Sequence, residues 1–97
     1  MPSFRVIMTI GALAAGTAPQ SVVPTAAAAA ATLTTVEAAD LAVVSGSARV
    51  TIRFTGEDDT ALAIARRTVE GTRAVAEVVS FLVTRRDGGR WYPVAPR

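Results

Sequence analysis

A chain of 97 residues with 51% hydrophobic and 19% charged side chains has the size and composition of one folded domain with one core, which excludes a disordered chain. The formal charge of +2 is too small to call for a polyanionic partner by itself. Cysteine and histidine are both absent, which removes disulfides, thiolate nucleophiles, zinc–thiolate sites and the commonest general base.

All ten basic residues are arginine, a bias that fits GC-rich coding or deliberate design better than a functional choice. No charged residue occurs from Val6 through Val36, yet Gly and Pro interrupt every apolar run before it reaches bilayer length. Residues 1–97 are therefore expected to form a single domain, with the cytoplasm as the default compartment. Arg5 followed by VIMTIGALAAG imitates a secretory signal, but the alternation of Phe4, Val6, Met8 and Ile10 is that of a strand.

In chain order, Ser3 to Leu13 reads as a first strand, with Phe4, Val6, Met8 and Ile10 on one face and Arg5, Ile7 and Thr9 on the other. A loop through Gly16 leads to a helix that starts either near Pro19 or at Pro24, the latter being a favoured first helical residue. Alanines 26–31 make the segment from Thr25 to Leu33 helical. Thr35 to Ser45 reads as a second strand, with a bulge expected near Ala39 and Asp40 because the apolar phase shifts there. Ser45-Gly46-Ser47 is a tight turn. The third strand alternates most cleanly, with Ala48, Val50, Ile52 and Phe54 inward and Arg49, Thr51, Arg53 and Thr55 outward.

Gly56-Glu57-Asp58-Asp59 opens a second helix, expected to run to about Ala76, with acids suited to the positive end of its dipole. Its inner stripe is Leu62, Ala65, Val69, Thr72 and Ala76. Arg66–Glu70 and Arg73–Glu77 are spaced for ion pairs on its outer face. Val78 to Arg86 is a fourth strand, Asp87-Gly88-Gly89 a hairpin turn, and Arg90 to Val94 a short fifth strand before a proline-bearing tail.

The order β-α-β-β-α-β resembles the ferredoxin-like superfold. It implies an α+β sandwich in which an antiparallel sheet carries two helices on one face, with a C-terminal β-hairpin extension here. That superfold hosts many unrelated functions, so function must come from sites.

Three sites suggest themselves. The first helix has no ionisable side chain, and its outward Thr25, Ala28, Ala31 and Thr32 present a small, uncharged surface where a soluble protein normally mixes charges. With the hairpin's Trp91 and Tyr92, these residues form an expected oligomer interface, making a second copy of the chain the expected partner. On the open sheet face, Arg5, Arg49 and Arg53 could bind a small anion, or could pair with Glu37 or Asp40 across the strands.

The hairpin places Arg85, Arg86 and Arg90 beside the only Trp and the only Tyr. That mixture suits single-stranded nucleic acid, but the aromatics of an RNA-recognition sheet are missing from the first and third strands. Edge packing or a subunit contact is the preferred reading of Trp91. The Glu57-Asp58-Asp59 run lacks calcium-loop spacing, and Glu37, Asp40 and Tyr92 lack any spacing that marks catalysis. No catalytic residue, metal ligand or cofactor is assigned. The sequence therefore predicts a homo-oligomerising domain, with an anion binder or an enzyme pocketed at a subunit interface as the competing readings.

Overall fold

The computed structural model describes residues 1–94. It places β1 at Ser3–Leu13, a 3-10 turn at Pro19–Ser21, α1 at Val22–Ala31, β2 at Val36–Val44, β3 at Ser47–Thr55, α2 at Ala61–Thr72, β4 at Ala76–Asp87 and β5 at Arg90–Pro93. The strands form one antiparallel sheet in the order β2-β3-β1-β4-β5. This α+β arrangement of five antiparallel strands and two helices is compatible with a ferredoxin-like sandwich; its strand order differs from the four-stranded form, with β5 added at one edge. Part of the proline-bearing tail lies outside the described residues. No helix among the described residues is long and apolar enough to cross a membrane.

The alternation in β1 and β3 has the expected physical outcome. Phe4, Val6, Met8 and Ile10 lie opposite Phe54, Ile52, Val50 and Ala48, and all but the last are buried beneath the helices. The Phe4 and Phe54 rings stack with centroids 5.8 Å apart. Val22, Ala26 and Ala30 of α1 and Ile64, Ala65 and Val69 of α2 complete the same core.

Both glycine-bearing hairpins close through residues with positive φ. Ser45 and Gly46 adopt 52° and 79°, and Gly88 and Gly89 adopt 58° and 82°, the handedness that two-residue turns need to match strand twist. α1 begins two residues before Pro24, so this proline falls in the first turn, where its missing N–H would have no partner anyway.

Several boundaries differ from the sequence expectation. α2 stops at Thr72 rather than Ala76, and Glu77 belongs to β4, so the Arg73–Glu77 helical pair does not exist. Arg66 and Glu70 form no ion pair either. α1 ends at Ala31, short of the expected Leu33, and the Leu33 side chain is 55% exposed. The β2 bulge lies between Val36 and Ala38, at Glu37, and not at Ala39–Asp40. The acids before α2 sit outside its first turn, and Asp58 pairs with Arg85 at 2.8 Å.

Part of the alanine run has an internal reason. α1 and α2 pack against each other where Gly71 meets Ala29, and a Cβ built on Gly71 would lie 2.5 Å from the Ala29 Cβ. Two helices this close admit only the smallest side chains, because packed interiors have no slack to absorb extra atoms. Gly71→Val is expected to lower the unfolding free energy by about 1–3 kcal/mol in urea denaturation. Ala29→Gly in the same chain should recover part of the loss; an unchanged midpoint for Gly71→Val would show that the helices separate without cost.

Candidate functional site

In a strand, every second side chain points to the same face, so the residues between the core positions of β1 and β3 emerge on the open face. The ladder sets Arg5 directly opposite Arg53, Ile7 opposite Thr51 and Thr9 opposite Arg49. Like charges directly opposed across a ladder destabilise it, so the Arg5–Arg53 pair requires compensation.

Two side chains supply it. The two-residue turn at Gly88–Gly89 sets Arg86 opposite Trp91 and Arg85 opposite Tyr92. Trp91 thus stands on the open face, whereas Tyr92 lies on the helix side. The indole spans β4 to lie against β1 and β3, with the Arg5 guanidinium carbon 3.9 Å from its ring centroid and that of Arg53 5.3 Å away. A cation over an indole face is worth about 0.5–2 kcal/mol, more as water is excluded.

The second compensating group is Glu37. The bulge turns its carboxylate toward the cluster, where Oε1 accepts from the Arg53 Nε at 3.2 Å and from the Ser3 hydroxyl at 2.7 Å. The Ser3 hydrogen bond, then Arg53 and the nearby charge of Arg86, hold the Glu37 carboxyl below its ordinary 4.5, against a smaller opposing effect of burial.

The structure divides the expected site residues. Arg5 and Arg53 come together, but Arg49 lies four residues along β3, opposite Thr9 and Ala42 and away from Trp91. Arg53 pairs with Glu37, one of the two readings of the open face, and its guanidinium carbon also lies 5.3 Å from the indole centroid. The cations on Trp91 come from β1 and β3, not from the hairpin's own Arg85, Arg86 and Arg90. Trp91 therefore lies half-buried over the open face against Arg5 and Arg53 rather than over a core edge.

Ala28, Ala31 and Thr32 are exposed as expected, while Thr25 is half-buried. The six residues expected to make one oligomer interface fall on two separate regions, because α1 packs beside β2 and β3 whereas Trp91 and Tyr92 belong to the opposite edge strand. Tyr92 lines an open cleft of about 860 Å³ with Phe4, Asp58, Arg66 and Arg85. Glu37 and Asp40 are not in that cleft, and a carboxylate with a lowered pKa is a poor base at neutral pH.

One residue escaped the sequence reading. Thr84 in β4 stands directly opposite Arg5 and is only 7% exposed, and its hydroxyl has no hydrogen-bond partner among the described residues. The Gly-Gly turn, by fixing Trp91 opposite Arg86, held the signal that would have placed Thr84 next to the indole.

Compared with family models, curated proteins and solved structures, the chain matches none.

Because the folded Glu37 carboxyl has a pKa below its unfolded value, its contribution to stability is present above the unfolded value and is lost as pH falls through the folded one. Glu37→Gln should therefore show a smaller loss of stability than the parent between about pH 5 and pH 3 in urea melts. Equal losses would remove the carboxylate from the account.

Proposed function

We propose that this chain is a ferredoxin-like domain whose role is to associate with copies of itself, as a subunit of a symmetric assembly. The observation that carries this reading is the character of the β2 edge. Among the described residues β2 bonds only to β3, so one side of a nine-residue strand presents its backbone donors and acceptors without a strand partner there. Edge strands in monomeric proteins are usually blunted by lysine, proline, shortness or repeated bulges. β2 contains neither lysine nor proline; its charges are Glu37, at the single bulge, and Asp40, and its ladder is regular from Ala38 to Val44.

The side chains point to the same conclusion. Leu41 and Val43 lie opposite Val50 and Ala48, on the helix side of the sheet, yet they are 58% and 72% exposed because α1 is too short to cover them. The neighbouring α1 contributes Ala28 and Ala31, with Thr32 and Leu33 just beyond, so on the helix side of the sheet the helix and Leu41 and Val43 of the edge form a surface without a charge. Apolar surface of this kind gains free energy when covered, at roughly 25 cal/mol per Å².

The strand is also compatible with its own antiparallel copy. Pairing about a two-fold axis through Ala42 would set Leu41 against Val43 of the second copy and Asp40 against Val44, keeping the carboxylates apart. Pairing centred on Asp40 would oppose two acids and is disfavoured. The α1 flanks of the two copies then approach on one side of a continuous sheet, where side chains no larger than alanine and threonine allow close contact.

Light scattering on the eluting protein should give a molar mass at least twice the 10.0 kDa of the chain. Val43→Arg should return it to 10.0 kDa with unchanged far-UV circular dichroism, and Ala28→Arg tests the helix flank separately. A parent chain that runs at 10.0 kDa across the micromolar range would end the proposal.

A further inference from the structure

We propose that the open sheet face holds a site for one small oxyanion, a carboxylate or phosphate group, gripped by Arg5 and Arg53 and capped by Trp91. It is independent of self-association, since it lies on the sheet face opposite the helices whereas the proposed contact uses α1 and the β2 edge.

Charge is the first ground. Arg5, Arg53 and Arg86 share this end of the open face with a single carboxylate, that of Glu37. Glu37 takes the Nε of Arg53 and leaves its terminal nitrogens unused, and Arg5 makes no ion pair among the described residues. Three guanidiniums facing one carboxylate leave an excess of positive charge that a bound anion would neutralise.

Direction is the second. The Arg5 guanidinium carbon lies 3.9 Å from the indole centroid, and its N–H donors lie in the plane of the guanidinium with no ion-pair partner among the described residues. A planar fork with unused donors suits the two oxygens of a carboxylate or a phosphate.

The third ground is the Thr84 hydroxyl. It is more than nine-tenths buried, lies directly opposite Arg5 and has no partner, a state rare in folded proteins. An anion held between Arg5 and Arg53 turns the indole off Arg5, and the Thr84 hydroxyl then donates to the ligand. Trp91 acts as the lid, and Glu37 repels a second anion, so the site takes one small ligand rather than a polyanion.

Trp91 is the single tryptophan of the chain, so its fluorescence reports on this site alone. Sodium phosphate and sodium succinate are titrated separately at ionic strength held constant with sodium chloride. A saturable change in emission is expected with at least one of them, and whichever produces it identifies the ligand as phosphate or carboxylate. Arg5→Gln should weaken that binding by about tenfold or more. Arg49→Gln, on the same face but away from Trp91, should leave it unchanged, and both variants should keep the parent circular dichroism. No saturable change with either anion, or one that Arg5→Gln retains in full, would overturn the proposal.

Discussion

The structure depends on the double pairing of β1. This strand is bonded to β3 on one side and β4 on the other, and it connects every other part of the sheet. Its strict alternation lets one segment do two things. Phe4, Val6, Met8 and Ile10 form the floor of the core, and Arg5, Ile7 and Thr9 face the other way. A one-residue slip in either ladder would exchange those sets and bury an arginine under the helices, so register is tightly specified. The open-face cluster follows from this constraint, because Arg5 cannot leave the position opposite Arg53 without dismantling the core beneath it.

The alanine run has two distinct explanations. On the side facing α2, small size is imposed by the Gly71–Ala29 approach, and Ala26 and Ala30 fill the space over the sheet. On the outer side, Ala28 and Ala31 touch nothing that requires them to be small, and an ordinary surface would carry charge there. Packing within the chain therefore explains the inner alanines and leaves the outer ones without an internal reason.

The readable parts of the fold were those where local pattern and tertiary environment agree. β1 and β3 announced themselves because both have one buried face and one exposed face, and the turns because Gly46, Gly88 and Gly89 need positive φ. The end of α2 was hidden, since Arg73 to Ala76 continue a helical spacing while long-range pairing to β1 claims Ala76 for β4. Leu33 misled for a related reason: it keeps the helical phase but follows the last helical residue. Arg5 and Arg53 could be placed on one face by counting, but the seat of Trp91 depends on a hairpin register combined with the order of three strands, which no local window contains. The cation–indole contact is therefore a product of topology, and local composition pointed to the wrong arginines.

The sheet treats its two edges differently, and the difference bears on what kind of assembly can form. β5 is four residues long with Arg90 and Pro93 at its ends, a combination that resists strand addition. The part of β4 that runs beyond β5 carries register shifts against β1, and bulges of that kind twist an edge away from a flat partner. β2 has its bulge only at Glu37 and is otherwise a regular edge with exposed Leu41 and Val43. The β4 segment beyond β5 also carries exposed Val79, Phe81 and Leu82, so the register shifts are what distinguishes it from β2. If the proposed pairing uses β2, it leaves the open face that carries Trp91 and Arg5 uncovered, since that cluster and the α1 flank lie on opposite faces of the sheet.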